Sequence, residues 1–418
     1  MRVVYLHQYF NTPSMPGGTR SYEMARRLVA MGHEVNIVTS WCEQDGRKGW
    51  FQTEEAGIRV HWLPAPYSNY MSYRQRIQAF FDFAWHSARK AAALEVDVVF
   101  ATSTPLTISL PAVYAAKKQK VPMVFEVRDL WPEMPIAMGA LKNKSMRYAA
   151  RELEKWAYRH SKAVVALSPG MKAGIVSAGF SSKKIAVIPN SSDNVEFAYN
   201  PTAEKIFRGS RPWLGDRPLL CYAGTFGKVN GVGYAVSLAK ALLDRKSDIC
   251  ILLVGDGAER NLVIQDAKEA GVFEVNLFFE PEMPKSKMPE LFSAATMCSS
   301  LFIDLPEMRA NSANKFFDTL AAGKPAFINY GGWMHDLVTS NHCGLAMWRT
   351  PIDAVAAKLD SVMHDPSWLC KAGESSRRLA EEYFDRDKLA AQLEQLLISV
   401  LDGKAERAED IAPGRHTL

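Results

Sequence analysis

Apolar residues fall in short β-branched runs that alternate with longer stretches of helical spacing. The runs at 2–6, 34–39, 97–101, 122–127, 163–168 and 185–188 read as buried strands, since a strand covered on both faces needs no alternating polar positions. Between them, 22–31, 108–118 and 146–160 repeat apolar positions at i, i+3 and i+4 and predict helices. Strand, helix and strand in that order make βαβ units, whose crossovers require a parallel sheet. Residues 190–215 lose periodicity and carry Pro201, Gly209, Pro212 and Gly215. The alternation then restarts, with strands at 218–223, 249–254, 275–279, 298–303 and 326–329 and helices at 232–243, 353–363 and 376–401. The predicted organisation is an α/β domain over 1–190, a linker over 191–215, a second α/β domain over 216–375, a helix over 376–401 expected to pack back on the first domain, and a loose tail over 402–418.

The length of 418 residues agrees with two domains, because a single core rarely grows beyond about 250–300 residues. Hydrophobic residues at 48% and charged residues at 23% exclude a disordered chain. The six cysteines are scattered, with no C-x-x-C and no histidine at ligand spacing, which predicts reduced thiols and no metal site. The chain starts without the apolar core of a secretory signal and contains no run of 18 or more apolar residues. These features predict a cytoplasmic protein, with peripheral contact at the cytoplasmic face of a membrane still open. A net charge of +5 permits contact with phosphate or anionic lipid, but no nucleic-acid motif is present.

Candidate chemistry clusters where predicted strands end. Gly17 and Gly18 follow the first strand and precede a helix, where glycine lets backbone N–H groups approach a phosphate or sugar. The strand at 122–127 runs into Arg128, Asp129 and Glu133, and ligands of open α/β sheets bind at such carboxyl ends. Arg128 could meet a phosphate, Asp129 or Glu133 a sugar hydroxyl. In the second half, Gly224-Thr225-Phe226-Gly227-Lys228 connects a strand to a helix, a phosphate-binding arrangement without the Walker or G-x-G-x-x-G spacing. A further helix starts after Ser312 and stops at Gly323 and Pro325, with Ser312 as its expected cap. Phe316, Phe317, Leu320 and Ala321 form its buried face, while Ser312, Lys315 and Asp318 share the other. A lysine at a helix start with a carboxylate one turn on suits a diphosphate and a ribose; an exposed i,i+3 ion pair has the same spacing. Residues 67–93 combine Tyr67, Tyr70, Phe81 and Trp85 with arginines, a composition shared by helices that lie in a lipid headgroup layer and by helices packed on a sheet.

Together, Pro189-Asn190 with Asp193 and Phe197, Val254-Gly255-Asp256-Gly257, and Phe317-Asp318-Thr319-Leu320-Ala321-Ala322-Gly323-Lys324-Pro325 resemble the family 4 retaining glycosyltransferases. Their order covers nearly the whole chain. Glu126-Val127-Arg128-Asp129-Leu130-Trp131-Pro132-Glu133 and Asn314-Lys315 are similar to the bacterial members that transfer N-acetyl-L-fucosamine and related amino sugars in O-antigen or capsule synthesis. The resemblance implies the GT-B fold, two Rossmann-like domains with parallel sheets facing across an interdomain cleft. It implies a UDP-sugar donor held by Gly17, Gly18, Gly224, Thr225, Lys228, Ser312, Asn314, Lys315 and Asp318. It further implies a lipid-linked saccharide acceptor reached from the N-terminal domain, catalytic or positioning roles for Arg128, Asp129 and Glu133, and neither metal nor cofactor. Two departures stand out: Ala310 occupies the place of the family's sugar-facing glutamate, with Glu307 three residues earlier, and Thr225 and Asn230 replace its arginine and lysine after the glycine turn. A nonhydrolysing UDP-sugar epimerase and a non-catalytic nucleotide-sugar-binding protein are the alternatives.

Overall fold

The computed structural model describes all residues except 16, 44, 66–70, 72, 192 and 413–418. The first sheet comprises β1 (Arg2–Leu6), β2 (Glu34–Trp41), β3 (Phe51–Glu55), β4 (Ile58–Pro64), β5 (Val98–Thr102), β6 (Met123–Val127), β7 (Ala163–Ala166) and β8 (Ile185–Val187), in the order β3-β4-β2-β1-β5-β6-β7-β8. All pairs are parallel except β3 with β4. The second sheet comprises β9 (Leu219–Ala223), β10 (Cys250–Val254), β11 (Leu277–Glu280), β12 (Met297–Ser300), β13 (Ala326–Ile328) and β14 (Gly344–Ala346), in the order β11-β10-β9-β12-β13-β14, parallel throughout. The strands β5, β6, β7 and β10 are buried along their whole length, as their predominantly apolar sequences suggest, with Glu126 of β6 the charged exception. Two Rossmann-like domains face each other across a cleft.

The β3–β4 hairpin and β14 escape the sequence pattern. In β3 the polar residues Gln52 and Glu54 alternate with half-buried ones, the profile of an edge strand. Its turn is made by Ala56 and Gly57, both with positive φ, a geometry usually announced by Asn-Gly.

The segments between and beyond the domains differ from expectation. The stretch 191–215 is no open linker: Pro201–Gly209 is a helix capped by Asn200, whose Oδ1 accepts from the N–H groups of Thr202 and Ala203. Phe197, Phe207 and Leu214 are buried in the second domain's core, and this apolar anchoring holds the stretch there. The expected helix over 376–401 is two helices, Pro366–Glu382 and Arg386–Leu401, because Asp385 accepts from the N–H groups of Asp387 and Lys388 and starts a new N-terminus. Arg386–Leu401 inserts Leu389, Leu393, Leu396 and Leu397 into the first domain's core. Residues 402–412 are not loose either. A short helix Ala408–Ile411 packs beyond β8, the Val187 N–H donates to the Ala412 carbonyl at 2.8 Å, and Lys172 pairs with Glu409 at 2.7 Å. Residues 413–418 of the expected tail, and 67–70 and 72 of the basic aromatic segment, lie outside the described residues.

Candidate active site

The carboxyl ends of β1, β9 and β10 open onto one cleft of about 530 Å³ between the domains. Its floor depends on two glycine turns that touch. A Cβ on Gly255, which has φ near +145°, would lie 2.0 Å from the Gly224 carbonyl oxygen, so the two loops approach as closely as they do only with glycine there. The Gly224 N–H donates to the Val254 carbonyl and the Phe226 N–H to that of Asp256, locking the pair. From the opposite domain, Gly18 brings the backbone so near that a Cβ would stand 3.0 Å from Asn314 Nδ2. Gly255→Ala should therefore leave the protein soluble and folded while weakening, at least tenfold, binding of the UDP donor that the family resemblance implies, because the added methyl must push apart the loops that line the cleft. Isothermal titration beside circular dichroism checks this; undiminished UDP affinity would refute it.

The helix Asn314–Ala321 enters the cleft by its N-terminus. Phe316, Phe317, Leu320 and Ala321 are buried on the other side, anchoring it in the second domain. Its N-cap position is Ala313, with no side-chain cap, so among the described residues the N–H groups of Ala313, Asn314 and Lys315 have no partner. Such groups and the helix dipole attract an anion. Lys315 adds the charge. Its Nζ sits 3.9 Å from the centre of the Tyr222 ring, and no carboxylate among the described residues lies within ion-pair distance. Removal from water without a counter-charge pushes its pKa down to about 7.

One turn further, Asp318 is almost fully buried. Its Oδ2 accepts from Lys285 Nζ at 2.6 Å, while its buried Oδ1 has no partner among the described residues. A buried carboxylate oxygen without a donor is costly, and a ribose hydroxyl is the kind of group that would satisfy it. Lys285 Nζ also lies 4.3 Å from the centre of the Phe197 ring.

The cleft thus brings together Gly17, Gly18, Gly224, Thr225, Asn314, Lys315 and Asp318. Other predicted residues stand elsewhere. Lys228 is exposed on the short turn Lys228–Asn230 and does not line the cleft, whereas Asn230 does. Ser312 neither caps the helix nor faces the cleft: its Oγ accepts from the Asn190 N–H at 3.1 Å, tying the end of the first sheet to the helix start. Glu133 forms a bidentate pair with Arg151 at 3.0 and 3.2 Å, drawn away by the neighbouring helix. Arg128 stays beside the cleft rim, with Nη2 3.8 Å from the Cβ position of Gly18, and its Nη1 contacts His7 Nε2 at 3.1 Å. Burial, with Arg128 alongside, holds the His7 pKa well below the usual histidine value, so the imidazole is neutral and accepts that bond. The Asp129 carboxylate accepts from Thr104 Oγ1 at 3.2 Å.

Comparison with known proteins places this architecture. Residues 17–191 match a glycosyl transferase 4-like domain and residues 204–397 the glycosyl transferases group 1. The chain carries a glycosyl transferase 4-like domain followed by a glycosyl transferases group 1 domain. It is 21% identical over 399 residues to WcaI of Escherichia coli (strain K12), whose name assigns it to colanic acid biosynthesis as a glycosyl transferase; the match covers 91% of this chain and 96% of WcaI. Among solved structures, the sucrose-phosphate synthase of Thermosynechococcus elongatus superposes with a TM-score of 0.78 at 16% identity, covering 96% of this chain and 99% of the other. HepE of Anabaena, in complex with UDP and glucose, gives 0.71 at 16% identity, covering 96% and 100%.

This glycosyltransferase also carries buried charges that periodicity does not reveal. Arg20, at the start of the helix after the Gly17–Gly18 turn, lines the cleft and is almost fully buried. It donates to Glu126 Oε1 through Nε at 3.0 Å and Nη2 at 2.8 Å, and to the carbonyls of Ile188 and Pro189. Burial resists ionisation of Glu126, but Arg20 outweighs it and holds the carboxyl below its ordinary value. A glutamate inside an otherwise apolar strand was the available signal. Arg27 pairs with Glu23, Asp193 and Asp387, and Arg386 lies 3.5 Å from Asp193, so the second domain's return helix is fastened beside the cleft. At the place of the family's sugar-facing glutamate, Ala310 packs against the first domain. Its carbonyl accepts from Ser168 Oγ at 2.6 Å, and a Cβ on Gly170 would stand 2.9 Å from the Ala310 Cβ. Glu307 does not line the cleft.

Proposed function

We propose that this glycosyltransferase is a retaining, metal-independent enzyme that moves an N-acetylated deoxy amino sugar from a UDP-sugar to a lipid-diphosphate-linked saccharide during bacterial surface polysaccharide synthesis. The observation that carries the donor assignment is the pairing, one turn apart in one cleft, of Asp318 and Lys315, which among the described residues lack a donor to Oδ1 and a counter-ion respectively. The ribose would donate to Asp318, and the diphosphate would neutralise Lys315 and accept from the uncapped N–H groups of the helix start. Breaking the glycosyl–phosphate bond leaves its electron pair on the diphosphate oxygen, and this preorganised positive field would stabilise that charge as it develops. Arg128, at the cleft rim, and Asp129, beside it on the facing domain, would orient the sugar and the acceptor hydroxyl. The solved HepE complex with UDP and glucose, and the resemblance of 126–133 to amino-sugar transferases, support the donor class.

A thermal-shift panel of UDP, GDP and their sugars, followed by turnover with a lipid-diphosphate acceptor, tests this. At one hundred times Kd a ligand adds about 2.7 kcal/mol of stability, enough to separate nucleotides clearly. UDP and its amino sugars should raise Tm, GDP should not, and the sugar should appear on the acceptor with its anomeric configuration kept. An epimer formed from UDP-sugar alone, or tight binding without transfer across the panel, would overturn the reading.

A further inference from the structure

The outer surface of the first domain has a charge and aromatic pattern that the donor cleft does not use. The connections β4 to β5, β5 to β6 and β6 to β7 all advance in one direction across the sheet, so right-handed crossovers place the helices Tyr73–Ala91, Ser109–Gln119 and Lys144–His160 on the same side. The β1–β2 crossover runs the other way, which puts Arg20–Ala30 on the opposite side, where Arg386–Leu401 covers it. The three helices pack side by side.

Each turns a similar stripe outward. On the first, Arg74, Phe81, Trp85 and Arg89 are exposed at helical spacing, with Phe81 at 53% and Trp85 at 62%. The Arg89 guanidinium lies 4.6 Å from the centre of the Trp85 ring. On the second, Tyr114, Lys117 and Lys118 are exposed. On the third, Lys144, Tyr148, Arg151, Lys155 and Arg159 are among the exposed residues, with Tyr148 at 69%. Segments 73–91, 109–120 and 142–160 together hold thirteen Lys and Arg against three Asp and Glu, a net +10 in a chain whose total is only +5. The rest of the protein is therefore acidic overall.

We propose that this three-helix face is a docking surface for an anionic lipid bilayer. Exposed tryptophan, tyrosine and phenylalanine among lysines and arginines suit the headgroup layer, where a ring can enter the acyl boundary while cations meet lipid phosphates. No helix among the described residues is long and apolar enough to cross a membrane, so the contact is peripheral. It does not depend on which sugar is transferred.

Sedimentation of the full chain with vesicles tests it. Binding to phosphatidylglycerol–phosphatidylethanolamine vesicles is expected at 0.15 M salt, weakening as salt rises, with little binding to phosphatidylcholine alone. The variant F81S/W85S/Y148S should bind the anionic vesicles at least tenfold more weakly. R89E/K117E/K144E should lose about fivefold or more for each charge. Both should keep wild-type UDP affinity, since none of the six residues lines the cleft. A control variant on the second domain, I206S/L262S, also removes exposed apolar residues and should bind vesicles like the wild type. Equal loss in the control, or vesicle binding insensitive to both triple variants, would overturn the proposal. So would tighter binding to duplex nucleic acid than to vesicles, unaffected by the aromatic changes.

Discussion

Lys315→Met is expected to lower turnover by about 10²–10³, equivalent to about 2.7–4 kcal/mol of transition-state stabilisation, because Lys315 is the one cation carried by this helix, in its first turn at the cleft. The charge has been paid for in advance by desolvation. Burial pushes the Lys315 pKa to about 7, below its unfolded value, so the protonated lysine destabilises the unliganded fold at neutral pH. Methionine at this position should raise the unliganded Tm or leave it unchanged while shrinking the Tm gain from UDP. The same shift sets a pH dependence. Only protonated Lys315 attracts diphosphate, so wild-type affinity for a UDP-sugar should be flat below pH 7 and fall as pH rises above it. Lys315→Met should remove that slope. Titration of wild type and variant from pH 6 to 9 decides the matter, and a variant with the wild-type slope would show that another group carries the charge.

Asp318→Ala should weaken UDP binding by about 100-fold. The removed carboxylate would accept one or two charge-assisted hydrogen bonds from the ribose, worth about 1.5–3 kcal/mol each. Its loss also leaves Lys285, only 15% exposed, without its partner at 2.6 Å. The diagnostic comparison uses 2′-deoxy-UDP, which the wild type should bind more weakly than UDP and which Asp318→Ala should not distinguish. A double variant with Lys285→Met separates direct contact from the effect of a stranded lysine, since the two losses should then fall short of additive. If Asp318→Ala binds UDP and 2′-deoxy-UDP as the wild type does, the ribose lies elsewhere.

Both predictions rest on a helix whose two faces are legible in the sequence. The spacing of Phe316, Phe317, Leu320 and Ala321 defines the face that must be buried, and that leaves Lys315 and Asp318 one turn apart on the other. Gly224 and Gly255 were equally visible, but not the 2.0 Å approach that forbids a side chain at Gly255. Ser312 illustrates the limit of local reasoning. Its type and position suit a cap, yet a neighbour from the other domain, Asn190, takes its oxygen, and the vacant cap leaves N–H groups for a ligand. The partner of Glu133 was hidden for the same kind of reason, because Arg151, eighteen residues later, lies within reach only after the intervening turn has folded.

By itself the sequence determined the alternation of strands and helices, the parallel sheets it entails, the glycine turns at the strand ends and the polar face of the donor helix. All of these follow from periods of two to four residues and from the backbone freedom of particular residue types. The tertiary structure alone decided that Lys315 leans on Tyr222 with no acid beside it among the described residues, that Asp318 shares one oxygen with Lys285 while the other meets no donor among those residues, and that Ala310 is closed in by Gly170 and Ser168. These are contacts between segments brought together by crossovers and domain apposition. Their chemistry depends on which neighbours arrive and how much water they displace, and no local pattern in the chain carries that information.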